Sequence, residues 1–369
     1  MRSKLIFVVL LGLLTTCIEP YTFVIENNEP ALVVEGYISN VSYNETKEYP
    51  SSGRYFTVVL HLTNNVLNIM DRAVSNASVQ LIDSNGAAWS YTESAASPGT
   101  YVLRSEDFKA SPDLSYKLQI TLAEGESYES DWEKIAQISP EMGEIGFEET
   151  EKQIYVQEAG EQAVKTIQGI NVYINIPPNT ADSPLYYRWS FDPHWIYIAP
   201  LAGASDPNYK CWASNAKYLP GYTLQQDNTG GYRKDLFFIE TVRNERIFES
   251  FSVLITQQAL SARNFNFWKE MKEQVEKNAF FDTPPYDLQT NIKSVGGDKP
   301  AFGYFTVADE KAKRWYFNIK DLSYYVQNTL KPDCEVVYGP GGPAPSCLSC
   351  VEYTNGKATT VKPVWWEDQ

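Results

Sequence analysis

Histidine is scarce: His61 and His194 are the only two among 369 residues. That leaves little material for a histidine metal site or for a relay in which an imidazole moves protons. Positive charge is also in deficit, with 31 Lys and Arg against 46 Asp and Glu and a formal net charge of −15. No Lys/Arg block is dense enough to neutralise a run of phosphates, so nucleic acid is not expected as a partner. No Gly-x-Ser-x-Gly elbow, His-Glu-x-x-His pair, phosphate loop or dinucleotide glycine fingerprint occurs. The common hydrolase and nucleotide-dependent classes therefore fall away, and no cofactor and no metal are implied. Past the N-terminus, no apolar run approaches the ~20 residues of a membrane-spanning helix. What is abundant is aromatic: 25 Tyr, 17 Phe and 9 Trp. Such residues favour strands and binding faces, and with 43% hydrophobic content the chain can build one large or two ordinary domains. A mainly β protein is expected.

Arg2 and Lys4 precede an almost wholly apolar run over residues 5–14, too short for a permanent span and suited to a signal peptide covering 1–16. The run ends in Leu14-Thr15-Thr16-Cys17. This is similar to the bacterial lipobox, in which such a Cys receives a diacylglycerol and becomes the first mature residue; Thr16 stands where Gly, Ala or Ser is more usual. Cys17 is thus the expected lipidation site, with residues 17–28 as tether. The alternative is a plain secretory signal in which Cys17 is incidental. Without Arg2 and Lys4 the chain is still more acidic, so membrane attachment would come from the N-terminal lipid and not from a basic patch.

Cys211, Cys334, Cys347 and Cys350 remain, an even number in a chain expected to leave the cytoplasm. Two disulfides are predicted, with three connectivities open. Cys347-Leu348-Ser349-Cys350 also admits a redox pair or half a zinc site. No thioredoxin-like βαβ pattern surrounds it, and zinc would have to recruit the distant Cys211 and Cys334. A cross-link would suit the GPGGPAP stretch at 339–345, which no strand ladder can hold.

Period-two alternation marks strands at 31–38, 55–62, 77–82, 100–103 and 115–122. Over 55–62, Phe56, Val58, Leu60 and Leu62 share one face while Tyr55, Thr57, Val59 and His61 share the other, which makes His61 an exposed strand residue. Asp83-Ser84-Asn85-Gly86 reads as a hairpin turn and lacks the later acids of a calcium loop. These features predict an immunoglobulin-like or transthyretin-like sandwich over 29–140. A larger β-rich domain over 141–369 follows. It contains a hairpin over 145–176 with an acidic tip at 158–162, strands at 237–242, 248–256, 301–307 and 314–319, and a Cys-rich tail. One helix is expected near 261–277, capped by Ser261, with Phe265, Trp268, Met271 and Val275 as a core-packing stripe and Glu273 to Lys277 as an i,i+4 pair.

Asp192-Pro193-His194-Trp195 is the best catalytic constellation by sequence, but no nucleophile accompanies it and Pro193 suggests a turn holding a satisfied histidine. Carboxylates for a glycosidase pair are too common in an acidic chain to select any. Among the aromatics, Tyr43, Tyr49, Tyr55 and the Trp365-Trp366 pair could stack on sugars or bury in a protein partner; Tyr49, Tyr55 and Trp366 are the candidate interface anchors.

One ordered set of motifs spans nearly all of the chain. It comprises Leu32-Val33-Val34-Glu35-Gly36-Tyr37-Ile38, residues 74–79, Gly99-Thr100-Tyr101, Gly125-x-x-Tyr128-x-Ser130 and QALSARNFNFW at 258–268. It continues with Phe281-Asp282-Thr283-Pro284-Pro285, Thr290-Asn291-Ile292, Phe302-Gly303-Tyr304-Phe305, Cys347-x-x-Cys350 and Lys362-Pro363-Val364-Trp365. The set resembles a family of Bacteroidota outer-membrane lipoproteins of unknown function. Two departures stand out: Thr290 replaces the family's usual Gly, and Cys17-Ile18-Glu19-Pro20 carries one acid where surface-export signals often have more. The resemblance implies a lipid-anchored outer-membrane protein, displayed at the cell surface or facing the periplasm, often encoded beside a TonB-dependent transporter, with no catalytic residues to carry over. The expected function is that of a non-enzymatic accessory subunit of such a transporter, or of an outer-membrane assembly complex, which helps to capture or gate cargo. A glycan-binding or adhesive surface module is the alternative, and an envelope hydrolase a more distant one.

Overall fold

The computed structural model describes residues 30–63, 72–158, 160–180, 183–276, 288–336 and 342–368. The signal segment, Cys17, the tether, the motif at 281–285 and Lys277 lie outside them.

Alternating apolar residues become strands almost everywhere. The first part of the chain supplies β1 (Leu32–Ser39), β2 (Phe56–Leu62), β3 (Arg72–Ala73), β4 (Ser78–Asp83), β5 (Ala88–Ser90), β6 (Thr92–Ser94), β7 (Ser97–Leu103), β8 (Ser115–Thr121), β9 (Ser127–Ser130) and β10 (Glu133–Lys134). A short helix, α1 (Tyr43–Thr46), follows β1. The second part supplies β11 (Ile145–Glu158), β12 (Glu161–Ile176), β13 (Leu185–Ile198), β14 (Lys210–Ser214), β15 (Thr223–Asp227), β16 (Tyr232–Glu240) and β17 (Phe251–Ala259). Helix α2 (Ala262–Glu276), β18 (Ile292–Val295), β19 (Ala301–Phe317), helices α3 (Leu330–Glu335) and α4 (Pro345–Leu348), and β20 (Lys357–Thr359) complete it. None of the described helices is long and apolar enough to cross a membrane.

The protein is mainly β, as its composition suggests. Eleven strands form one long sheet in the order β20-β14-β13-β17-β19-β1-β2-β7-β6, with β15 against β13 and β3 against β2. Its inner face is covered by two smaller sheets, β18-β9-β8-β4-β5 with β10 on β8, and β11-β12-β16. Two cores result. Val34, Val58, Leu60, Leu81, Leu118 and Phe305 fill the first, and Ile170, Val172, Trp189, Trp195, Phe251 and Ile255 the second. Each such side chain contributes roughly 1.5–3 kcal/mol by leaving water.

The first sandwich is not closed by residues 29–140 alone. β1 pairs in parallel with β19, from Leu32 opposite Ala301 to Ser39 opposite Ala308, and β18 pairs with β9. Strands from the far end of the chain thus complete the first core, and the expected boundary near 140 divides neither that core nor the long sheet cleanly. The connection itself crosses the inner face. Ser139 donates to Asp309 Oδ2 through both its N–H (2.9 Å) and its hydroxyl (2.6 Å), and Lys313 Nζ donates to the Met142 carbonyl at 2.6 Å. These bonds explain a further correction: 301–307 and 314–319 are not separate strands. Residues such as Asp309, Glu310, Lys311 and Lys313 look like a solvated turn, but β19 runs through them because each finds a partner on one face or the other.

Asp192-Pro193-His194 is likewise strand, not turn. Ile196 N–H donates to the Ser250 carbonyl, so by alternation the Pro193 nitrogen faces the other edge of β13. That edge is open there, because pairing with β15 ends at Trp189 and pairing with β14 begins at His194. The missing N–H costs no ladder bond.

Two disulfides are present, Cys211–Cys350 and Cys334–Cys347, so the two cysteines of the C-x-x-C take different partners. The first fastens β14 to the tail and the second closes the tail on itself. The 145–176 hairpin forms in register from Ile145 opposite Ile174 to Glu158 opposite Glu161. Ser261 caps α2 as expected, its Oγ accepting from the Asn264 N–H at 3.2 Å.

Candidate functional site

The outer face of the long sheet is where polar side chains converge. Registers place Arg188, Gln258 and Glu310 in one row across β13, β17 and β19, and Asp192, Leu254 and Arg314 in another. Phe302, Tyr304 and Thr306 of β19 and, across the parallel seam, Val33, Glu35 and Tyr37 of β1 continue the same face. Because the sheet runs unbroken over both cores, residues more than 250 positions apart share one surface, as Tyr37 and Glu310 do at a separation of 273.

Helix α2 lies over this face and roofs a cavity of about 500 Å³. Val33, Val59, Phe267, Trp268, Met271 and Phe302 give it an apolar lining. The helical stripe expected to pack a core is therefore divided. Phe265 is buried beside Leu260 and Ala308, whereas Trp268 and Met271 face the cavity. Arg188 enters from the sheet. Its Nη1 donates to Gln258 Oε1 at 3.0 Å, and its guanidinium carbon lies 3.9 Å from the centre of the Trp268 ring and 5.0 Å from that of Tyr222. Burial pushes its pKa down to about 10. Tyr222 in turn donates its hydroxyl to the Trp268 carbonyl at 2.9 Å, which holds the helix over the sheet.

The segment carrying α1 and residues 47–54 forms the next wall. Glu310, buried on β19, accepts from the Tyr37 hydroxyl at 2.7 Å through Oε2 and from Arg54 Nη2 through Oε1. The Arg54 guanidinium also sits 5.0 Å from the Tyr37 ring centre, and burial holds the Tyr37 pKa well above its ordinary value. Arg54 and Ser190 line a second cavity of about 300 Å³ beyond this wall, together with Tyr49, Asp192, His194, Arg314 and Trp365. Arg314 ties that end together. It donates to the Pro50 carbonyl at 2.6 Å and to Ser252 Oγ at 3.1 Å, and lies 3.5 Å from the Trp365 ring centre. His194 Nδ1 is 3.6 Å from Asp192 Oδ1, and burial keeps its imidazole below the ordinary histidine range.

The residues singled out from sequence fare unequally. Tyr49 lines the smaller cavity. Tyr55 stacks on Tyr43 at 4.1 Å and donates to Glu106, so it is engaged within the chain. Trp366 is no exposed anchor: it is 4% exposed and packs with Ile196 and Trp365 against Ile198, Trp212 and Tyr316. Large exposed aromatic side chains lie elsewhere, at Tyr155 on the β11–β12 ribbon (83%) and Tyr325 (87%). His61 sits half-buried on β2, opposite Val33. The cavity residues Arg54, Arg188, Gln258 and Glu310 were missed by sequence reasoning. One signal was available: Arg188, Ser190, Asp192 and His194 recur at period two inside an aromatic run, which marks a polar strand face. No group of three or more His, Cys, Asp or Glu among the described residues could hold a metal.

No curated protein and no solved structure matches this chain. A family model does, over residues 18–314, which take in the tether after Cys17, the first core and most of the second, helix α2 and nearly all of β19, and leave out the disulfide-bonded tail. The chain belongs to the family defined by that model, a domain of unknown function designated DUF4249.

Proposed function

We propose that this protein is a non-enzymatic lipoprotein of the outer membrane, anchored at Cys17, that captures a small organic ligand between α2 and the long sheet as an accessory to a TonB-dependent transporter. The observation that carries the capture step is the cavity itself: its volume of about 500 Å³ and its apolar lining around a few convergent polar groups suit a small-molecule site. Binding, not turnover, is supported by how the buried carboxylate behind its Arg54 wall, on the adjoining cavity, is used. Both oxygens of Glu310 accept bonds from neighbours, which leaves that carboxylate poorly placed as a general acid or base. The anchor, the membrane and the transporter partner come from the lipobox-like segment and the family resemblance. A glycan-binding module is served less well, because Trp268, the natural stacking platform, presents its ring to Arg188. The experiment is isolation of the native, Cys17-lipidated protein from detergent-solubilised outer membrane. A co-purifying β-barrel transporter, together with a bound small molecule seen by native mass spectrometry, is the expected result. Recovery of the protein alone, with turnover of a glycan or peptide by the purified chain, would replace this reading with a hydrolase.

A further inference from the structure

We propose that the ligand of the cavity beneath α2 carries a single carboxylate on an apolar body, and that Arg188 binds that carboxylate. The inference rests on the capture reading above and names the class of ligand.

Arg188 has no carboxylate in contact with it: Glu35, exposed on the same cavity, acts on it only through space. Arg188 makes no ion pair among the described residues, its Nη1 is engaged with the neutral amide of Gln258, and its Nε is buried without a hydrogen-bond partner. Taking a guanidinium out of water on these terms is unfavourable, and a structure keeps such a group where something else supplies the anion. The rings of Trp268 and Tyr222 pack against it and fix its position. With Nη1 engaged, Nη2 and the orphaned Nε–H lie on the remaining edge of the planar fork as parallel donors; Nε is covered in this structure, so the side-by-side grip on two carboxylate oxygens forms when the ligand displaces what covers it. The rest of the cavity sets the charge and the body. Glu35 lines the same space and Glu310 stands behind the adjoining wall with Arg54 committed to it, so a phosphate dianion would meet two carboxylates and one available cation. A monoanion meets less repulsion. Val33, Val59, Phe267, Met271 and Phe302 offer no hydrogen-bonding side chains and call for an apolar remainder.

The test uses the full chain carrying Cys17→Ser, titrated calorimetrically with matched acids and amides: octanoate against octanamide, and 2-naphthylacetate against 2-naphthylacetamide. At least one acid is expected to bind tenfold or more tighter than its amide. Arg188→Gln should bring the acid down to the amide's affinity and leave the amide within threefold of the native value. If that variant does not fold, Gln258→Glu serves: it sets a carboxylate of the chain's own against Arg188, and the preference for the acid should vanish while the amide still binds. Equal binding of acid and amide to the native chain would overturn the ligand class and leave capture standing. An acid preference that survives both substitutions would overturn the role of Arg188. Binding of no probe would overturn the capture reading along with this one.

Discussion

Gly303 lies directly opposite Val34 across the parallel seam between β19 and β1, and a Cβ at position 303 would sit 2.0 Å from the Val34 carbonyl oxygen. Its φ of +96° is also one that residues with a side chain rarely adopt. Both obstacles fall on the ladder that makes one sheet out of the strands over two cores. Gly303→Ala is therefore expected to cost about 2–4 kcal/mol, by strain and by displacement of β1. Chemical denaturation of the variant measures it; a change below half a kcal/mol, taken as about the scatter of ordinary surface substitutions, would mean that the seam yields easily.

Arg54 and Glu310 supply a second test. The Glu310 side chain is 1% exposed and that of Arg54 37%, so solvent screens only one member of the pair. Arg54→Met leaves a buried carboxylate with Tyr37 as its remaining side-chain donor, at an expected cost of about 2 kcal/mol after discounting for the exposed guanidinium. Combining it with Glu310→Gln should cost less than the sum of the two single changes. A double-mutant cycle with no coupling would show that the wall between the two cavities does not depend on this pair.

The strands and both cores were legible in sequence because burial on one face imposes a period of two, as in Phe56, Val58 and Leu60 or Tyr116, Leu118 and Ile120, all buried. The site was far less legible, for a physical reason. Its polar residues are paired across long sequence separations, and a local window sees only the charge. Asp309 and Glu310 read as the end of a strand because Ser139, Asn40, Tyr37 and Arg54, which satisfy them, lie some 170 to 273 residues away. The same holds for the parallel seam, since no local pattern says that β1 will pair with β19. Trp365-Trp366 misled in the opposite direction. A tail rich in aromatics suggests an exposed anchor, but these rings pack on the sheet at Ile196 and Ile198 of β13, Trp212 of β14 and Tyr316 of β19.

That burial makes Trp366→Ala a stability change before it is a binding change. Loss of a ring 4% exposed should cost about 3–5 kcal/mol. Tyr155→Ala, on the exposed ribbon, should leave stability within about half a kcal/mol. Thermal unfolding of the two variants side by side would reverse this assignment if the order came out inverted.

The two disulfides should differ in weight. Cys211–Cys350 spans 139 residues and Cys334–Cys347 spans 13. Loop-closure entropy grows with the logarithm of loop length, so the longer cross-link is expected to contribute about 2 kcal/mol more. Alanine pairs at 211/350 and at 334/347, compared by denaturant midpoint, check this. Equal losses would indicate that the short loop is strained once reduced or that the unfolded chain keeps its ends together.

His194 gives the fold a pH dependence whose sign follows from its surroundings. Burial against Trp365 outweighs the attraction of Asp192 for the imidazolium, and Arg314 adds repulsion, so the folded pKa lies below the ordinary 6.5. Above about pH 6.5 the ring is neutral in both folded and unfolded chains and contributes no slope. As pH falls below that, the unfolded chain takes up a proton that the folded chain resists. Stability declines until the folded pKa is passed, at a rate that for one proton cannot exceed ~1.4 kcal/mol per pH unit. His194→Gln removes the titration and leaves the carboxylates in place. Between pH 7.5 and 5 the variant should therefore lose less stability than the native chain, while the two behave alike above pH 7.5. A native curve no steeper than that of the variant would mean that Asp192 accommodates the charged ring, and that the cavity around Arg314 is open enough to hydrate it.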